Sequence, residues 1–501
     1  MRRLLAFLLL LSFAAAPARA EWRRAESPNF IVFSEESEAR LRERVTLLEH
    51  FDRLLRIITS VDDPPAPNKL HVYIVSGADE LRAVRPVPPG IAGYYMASPY
   101  GIAAVVDRLA GGTDRAARER AAEEILLHEY SHHFMMQYRA NAYPAWYVEG
   151  FAEYFATAAF RDRSIDIGNF SPGRAYSIVE GQWLPIERVL FGTTDGLSRE
   201  QMSQFYAQSW LLVHYFYSTP ERQAALRRYL VAAREGDPAA QVERATGLTP
   251  ERLNEELRRY IRGGQIRYRR LHLDEGQARP AITVTRLPAA ADQMMLFEAT
   301  LRFGVGEEEG RPLLERIRAA AARHPSDAFA QRVLAHAESL FGDGAAADRL
   351  LDPLMAAAPA DAELMYYKGL RHLRAAREAD DAEPDGRAAR TWFTRAHRAN
   401  ENHYQTLYRY AEAMRGQPGY VSENTENVLL LAHQLAPQVA EITVNTAIML
   451  INRRRYAEAE ALLRPLAADP HNAGIATAAK ELIERTRAGS TARAPAPEAS
   501  Q

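Results

Sequence analysis

The chain contains no cysteine among its 501 residues. This absence excludes a disulfide framework, a thiolate metal site, a cysteine nucleophile and a lipid anchor on cysteine. The formal net charge is only −2, and no basic run with interleaved aromatic residues occurs, so we expect no nucleic-acid partner. With 47% hydrophobic and 25% charged residues, the composition is that of a soluble globular protein of about three domains.

Long apolar runs are also absent after the first twenty residues. Arg2 and Arg3 precede an apolar run from Leu4 to Ala16, and Ala18-Arg19-Ala20 has the small-x-small form of a cleavage site. This pattern predicts a signal peptide at residues 1–20, with a buried N-terminal helix as the alternative. The run is too short to span a bilayer. We therefore expect an exported protein, periplasmic or secreted, with no transmembrane segment after signal removal.

The pattern of hydrophobic residues changes along the chain. Short strands at 70–75, 93–97 and 102–106 and helices at 38–59, 114–138 and 144–160 predict an α+β domain with a small mixed sheet over residues 21–270. Residues 161–196 are predicted to be loop-rich. A linker is expected at 271–288, and the last residues, 489–501, are polar and Pro-rich and are predicted to be disordered.

Residues 289–488 predict paired helices rich in Ala and Leu. Prolines at 325, 359, 437 and 470 are separated by 34, 78 and 33 residues, and the interval of 78 divides near Asn400. A period of about 34 residues with two helices per unit is typical of tetratricopeptide repeats. The sequence therefore predicts an all-α solenoid of such repeats, with an unrelated helical bundle as the alternative.

One short motif contains residues that can bind a metal ion and catalyse a reaction. His128 and His132 are four residues apart on a predicted helix, so both imidazoles lie on one face and can bind a single metal ion. Glu129 follows the first histidine and is placed to activate a water at that metal. The motif alone also occurs by chance, and a single histidine on an apolar helix face is often a packed core residue.

A second motif strengthens the first. Glu149 and Glu153 are four apart on an otherwise apolar helix, where carboxylates are costly to bury without partners. Two histidines and one glutamate form a known zinc ligand set, so we predict Glu149 as the third ligand. Glu153 is predicted to accept a hydrogen bond from the other nitrogen of a ligating histidine. The alternative is that both glutamates are solvated surface charges.

Together the motifs show a resemblance to a known family. His-Glu-x-x-His at 128–132, followed by Trp-x-x-Glu-Gly-x-Ala-Glu-Tyr at 146–154, resembles the gluzincin zinc metallopeptidases of the peptidase MA-like type. The resemblance extends over about 21–270 and implies an α+β metallopeptidase domain with Zn²⁺ as cofactor. It implies His128, His132 and Glu149 as zinc ligands and Glu129 as general base and proton shuttle.

The resemblance also implies two further parts of the site. An edge strand beside the active-site helix binds the substrate backbone in such folds, and Ile102, Ala103, Ala104 and Val105 are our candidates because they directly precede that helix. Related aminopeptidases place a tyrosine on a later helix to stabilise the oxyanion, which makes Tyr206 a catalytic candidate. A packing role for Tyr206 stays open. His214 is a weaker candidate, and His133 is interpreted as non-ligating.

Three functional hypotheses follow. The first is an exported zinc metallopeptidase, an endopeptidase rather than an aminopeptidase, acting on peptides or proteins while the repeats recruit substrate or a partner protein. The second is a repeat scaffold or binding protein whose metallopeptidase-like domain is inactive. The third is zinc-dependent hydrolysis of something other than a peptide.

Overall fold

The computed structural model describes residues 21–111, 114–170, 172–232, 238–264, 266–277, 279–379 and 382–491. The predicted signal peptide at 1–20 and residues 492–501 of the predicted tail lie outside the described residues. Within the described ranges, no helix has the length and apolar character needed to cross a membrane. The chain is mostly helical, with a small mixed sheet and a helical, repeat-like C-terminal region.

The strands of the described residues form two sheets. They are β1 (Arg23–Glu26), β2 (Phe30–Ser34), β3 (Leu70–Val75), β4 (Gly93–Ala97), β5 (Ile102–Asp107), β6 (Ala159–Arg161), β7 (Ser164–Ile167), β8 (Arg269–His272) and β9 (Thr283–Arg286). The larger sheet has the order β4-β5-β3-β2-β1-β9, and the smaller has the order β6-β7-β8.

The helices of the N-terminal region surround these sheets. They are α1 (Glu38–Thr59), α2 (Ala78–Val84), α3 (Arg115–Tyr138), α4 (Ala145–Ala156), α5 (Pro172–Glu180), α6 (Ile186–Phe191), α7 (Arg199–Tyr217), α8 (Pro220–Ala232), α9 (Pro238–Thr246) and α10 (Pro250–Arg262).

The C-terminal region follows as a run of helices. They are α11 (Ala291–Phe303), α12 (Glu307–Ala321), α13 (Ala328–Phe341), α14 (Gly344–Ala357), α15 (Ala362–Glu378), α16 (Glu383–Ala399), α17 (Tyr404–Met414), α18 (Glu423–Leu435), α19 (Ala440–Asn452), α20 (Tyr456–Ala467) and α21 (Ala473–Thr491).

The order of the larger sheet corrects one prediction. Strands β2, β3 and β5 are parallel, and the turn at 98–101 folds β4 back antiparallel onto β5. Ile102, Ala103, Ala104 and Val105 therefore pair with β3 on one side and β4 on the other, and all four are buried. The prediction that they form the edge strand was wrong, because β4 occupies that position.

The two faces of the larger sheet are covered by different helices. One face packs on α1 and α3, whose Leu48 and Leu126 share a core with Val72 of β3. The other face packs on α2 and α11, where Met295 contacts the cluster that contains Tyr73. Because α11 covers the sheet and β9 extends it, the predicted linker at 271–288 and the start of the predicted repeats are integrated into the N-terminal fold.

The remaining C-terminal helices pack on their neighbours in sequence, as paired helices do in a repeat array. Helix α21 continues through 489–491, which we predicted to be disordered. Later helices return to the N-terminal region. Tyr404 and Ile442 belong to the same core as α3, and the hydroxyl of Tyr404 donates a 2.9 Å hydrogen bond to the carbonyl of Ser98.

Candidate metal centre

Helix α3 carries the two histidines and is fixed against α1 by a buried hydrogen bond. The Tyr130 hydroxyl donates to Oδ1 of Asp52 over 2.6 Å, while Arg56 bonds the other oxygen of that carboxylate at 2.6 Å. Asp114 caps the helix by accepting from the Ala117 N–H at 2.9 Å. His128 and His132 thus project from a helix whose start and middle are both anchored.

Helix α4 carries the two glutamates and lies unusually close to α7. A Cβ built at Gly150 would fall 2.3 Å from the carbonyl oxygen of Ser209 and 2.8 Å from a methyl of Val213. Only a glycine allows the two helix backbones to approach this closely. The approach brings Glu149 of α4 and Tyr206 of α7 to the same side of the site.

The three predicted ligands converge. Nε2 of His128 lies 3.0 Å from Nε2 of His132, and Oε2 of Glu149 lies 3.5 Å from the first nitrogen and 3.8 Å from the second. Tetrahedral zinc with ligands at about 2.0–2.1 Å requires ligand atoms separated by about 3.3–3.4 Å. The observed separations scatter around that value, so these residues fit a zinc ion.

The surroundings of Glu149 support the same fit. Its side chain is fully buried, and neither carboxylate oxygen receives a well-directed hydrogen bond from the described residues. Burial disfavours its charged form, but the nearby imidazoles, first of all that of His471, hold the pKa of the Glu149 carboxyl well below its usual value. A buried, ionised carboxylate beside two imidazoles is the arrangement that a bound cation satisfies.

Glu153 lies behind His128. Its Oε1 is 3.4 Å from Nδ1 of His128, the nitrogen that faces away from the other predicted ligands. Arg174 of α5 donates to both oxygens of Glu153 at 2.7 and 2.8 Å. Burial lowers the pKa of His128, but the carboxylates of Glu149 and Glu153 outweigh burial and raise that pKa to about 9. An outer carboxylate of this kind orients a ligating imidazole.

Glu129 faces the same space. Burial raises the pKa of its carboxyl, while the neighbouring His128 and the backbone of Tyr95 in β4 partly offset that effect. A raised pKa makes the carboxylate a stronger base, as proton transfer near neutral pH requires. Through Tyr95, Glu129 also contacts the strand that forms the sheet edge.

Tyr206 reaches the centre from α7. Its ring centroid lies 6.2 Å from that of His128, and the guanidinium of Arg174 lies 5.1 Å from the same Tyr206 ring. The charge of the Glu149 carboxylate is the main reason that the pKa of Tyr206 is raised, so its hydroxyl stays protonated and can donate a hydrogen bond.

Two other histidines lie away from the three candidate ligands. His214 is buried among aromatic rings, with Nδ1 2.9 Å from the Tyr260 hydroxyl. His133 faces β4, where its Nδ1 lies 3.2 Å from the Tyr95 hydroxyl. Neither is among the described residues whose ligand atoms lie within 4.8 Å of one another, a set formed by His128, His132 and Glu149.

Sequence reasoning missed two residues of the site. Arg174 lies in the stretch 161–196, which we predicted to be loop-rich and which contains α5, α6 and β7. His471 lies in the turn between α20 and α21, more than 300 residues from the other site residues in the N-terminal helices α3 and α4, yet its Nε2 is 3.1 Å from Oε1 of Glu149. No local pattern marks either residue, because only the tertiary fold brings them to the centre.

Comparisons with known proteins add little to this geometry. No family model and no curated protein matches the chain. Among solved structures, the chain is similar to a thermophilic TPR protein of Thermus thermophilus, with 18% sequence identity and a TM-score of 0.33. That similarity covers 39% of this chain and 100% of the other chain. A similarity at this TM-score does not establish a shared fold. The helical, repeat-like character of the C-terminal region is therefore inferred from the packing of its own helices.

Proposed function

We propose that the protein is a zinc-dependent metallopeptidase that hydrolyses peptide bonds. The observation that carries the proposal is the convergence of His128, His132 and Glu149 at separations that suit zinc, with Glu129 facing the same space. The resemblance of residues 128–132 and 146–154 to gluzincins supports the same reaction class. We further propose that the C-terminal helices recruit substrate or a partner protein.

The roles of the residues follow from their positions. Bound by His128, His132 and Glu149, zinc would supply Lewis-acid chemistry, which lowers the pKa of a water and polarises a carbonyl. Glu129 would accept the proton of the attacking water and deliver it to the leaving amine. Tyr206, with its hydroxyl protonated, would donate a hydrogen bond to the developing oxyanion.

The edge of the larger sheet supports a peptide as the substrate. Strand β4 pairs with β5 on one side, and the backbone of its Tyr95 lies beside Glu129. An extended peptide that adds to such an edge presents its carbonyl carbons in a regular row next to the catalytic base. We therefore assign β4, in place of Ile102 to Val105, as the strand that binds the substrate backbone, which favours an endopeptidase.

Substitution of the base tests the proposal. We expect Glu129→Gln to bind one zinc per chain while losing a factor of about 10²–10⁴ in the rate of peptide cleavage. The matched control is Glu119→Gln, on the same helix but pairing at the surface with Arg115 at 2.9 Å, and it should cleave like the parent. Undiminished cleavage by Glu129→Gln would refute the mechanism.

A scaffold with an inactive peptidase-like domain is the second candidate. The helical C-terminal region suits protein binding, and hydrolysis is not needed for that role. Zinc analysis of the purified parent protein separates the two candidates. One zinc per chain favours the peptidase, and the absence of stoichiometric zinc favours the scaffold.

A further inference from the structure

The turn between α20 and α21 lies against the candidate metal centre. Thr194 of the N-terminal region donates a 3.2 Å hydrogen bond to the carbonyl of Pro470, and Pro470 is buried at this junction. The turn, the start of α19 and the end of α20 line a small, partly open cavity of about 80 Å³ together with Met135, Tyr143 and Val148. The C-terminal region is therefore in direct contact with the elements that carry the zinc ligands.

His471 projects from this turn into the centre. The Asp469 carboxylate accepts from the His471 backbone N–H at 2.8 Å, and Asn472 caps α21 by accepting from the Ile475 N–H at 3.1 Å. The ring of His471 packs edge-on against that of His132, with centroids 5.0 Å apart and planes at 71°. Bonds on both sides of His471 thus fix the backbone that carries its ring.

The two oxygens of Glu149 face different partners. Oε2 points toward His128 and His132, at 3.5 and 3.8 Å. Oε1 lies 3.1 Å from Nε2 of His471. Glu149 is fully buried, and neither oxygen receives a well-directed hydrogen bond from the described residues, so the 3.1 Å contact with His471 is the shortest that Oε1 makes to a charged partner. His471 is consequently the group placed to decide which oxygen faces the metal.

We propose that His471 is a positioning residue of the metal centre, contributed by the C-terminal region, which engages Oε1 of Glu149 and leaves Oε2 facing the two imidazoles. The inference rests on the proposed function, because it concerns the same zinc. An imidazole offers an N–H donor in its neutral and in its charged form, so the contact requires no change of charge. Partners of this kind orient ligands and tune metal affinity.

The geometry distinguishes this role from that of a fourth ligand. The three ligands have atoms that all lie within 4.8 Å of one another, and His471 is not part of that set. The polar atom that its Nε2 contacts is the oxygen of a ligand, not another ligating nitrogen. The C-terminal helices would therefore do more than recruit substrate, because the turn that carries His471 would hold the third zinc ligand, Glu149, in position.

Zinc affinity of the full-length protein tests the assignment. We expect His471→Ala to weaken zinc binding about 10- to 100-fold, as loss of such a partner usually does. His471→Gln, whose amide nitrogen can donate to Oε1, should recover most of the affinity. His433→Ala is the matched control, because that histidine of the same region contacts Thr443 at 3.0 Å and is expected to leave zinc affinity unchanged. Thermal unfolding of the metal-free proteins checks that the variants fold.

The absorption spectra of the cobalt-substituted proteins provide a second test of the assignment. We expect parent and His471→Ala to give the same spectrum at saturating cobalt, because the ligand set is unchanged. A changed spectrum would make His471 a ligand and overturn the assignment, and unchanged zinc affinity would overturn it whatever happens to the cleavage rate. If the parent protein binds no zinc, the proposed function itself fails. If the parent binds zinc and His471→Ala binds it equally well, only the positioning role fails.

Discussion

Substitution of Gly150 by alanine tests whether the contact between α4 and α7 sets the geometry of the centre. The new Cβ would lie 2.3 Å from the Ser209 carbonyl oxygen, whereas ordinary contacts of a Cβ begin at 3.4 Å. The clash is with backbone, which cannot rotate away. One of the two helices therefore has to move by about 1 Å to relieve it.

The expected change in the free energy of unfolding is the sum of two opposing effects. Overpacking of this kind costs about 1–3 kcal/mol, and a backbone clash belongs in the upper part of that range. Alanine regains about 1 kcal/mol of helix propensity over glycine. We therefore expect Gly150→Ala to lower the free energy of unfolding by about 2 kcal/mol. Because Glu149 is the adjacent residue and a metal site tolerates displacements of only about 0.5 Å, zinc affinity should fall at least about tenfold.

Urea denaturation of the metal-free protein and competitive zinc titration measure the two effects separately. Gly173 of α5 is the matched control, because a Cβ built there meets nothing within 4 Å. Gly173→Ala should leave zinc affinity unchanged and raise the free energy of unfolding by at most about 1 kcal/mol. If Gly150→Ala matches the parent protein in both measurements, close approach of the helices does not position Glu149 and the reasoning is refuted.

Two further substitutions test other parts of the account. Tyr206→Phe removes the proposed oxyanion donor and should lower kcat by a factor of about 10²–10³. Zinc affinity should be unchanged, since the donor acts on the transition state. An unchanged kcat in steady-state assays would indicate that Tyr206 only packs against its neighbours. Tyr130→Phe removes the 2.6 Å hydrogen bond to the buried Asp52 and should lower the free energy of unfolding by about 1–3 kcal/mol. A urea midpoint equal to that of the parent would show that this bond does not anchor α3.

Much of the centre was predictable because its residues lie at helical spacings. His128 and His132 are one turn apart, as are Glu149 and Glu153, so each pair shares a face whatever the tertiary fold. Their helices were predicted at 114–138 and 144–160 and are found at Arg115–Tyr138 and Ala145–Ala156. Prediction of the candidate ligand set needed only the further assumption that the two helices face each other.

The edge strand was mispredicted although the sequence contained a signal against it. Residues 102–106 are uninterrupted small and aliphatic side chains, a composition typical of a strand with neighbours on both sides. Proximity in sequence to α3 led to the wrong assignment, because the hairpin at 98–101 places the preceding strand outermost. Sheet order depends on which strands pair, and spacing along the chain does not determine it.

Arg174 and His471 could not be predicted for a different reason. Each contacts a glutamate of α4, Arg174 from the next helix, α5, and His471 from a turn more than 300 residues away. A lone arginine in a loop-rich stretch or a lone histidine after a proline has no pattern that indicates a partner. The integration of β9 and α11 into the N-terminal fold was missed for a similar reason. Residues 271–288 were predicted to be a linker and α11 the start of the repeats, and only their spatial neighbours show that β9 joins the sheet and α11 covers it.

The central claim is that His128, His132 and Glu149 bind a zinc ion that serves peptide hydrolysis. Its most direct test is the zinc content of purified parent and Glu129→Gln proteins, measured beside their cleavage of a peptide library. We predict one zinc per chain in both proteins, with cleavage by the parent that a chelator abolishes and almost none by Glu129→Gln. A parent protein that contains no stoichiometric zinc, or that cleaves equally well with chelator, would contradict the account.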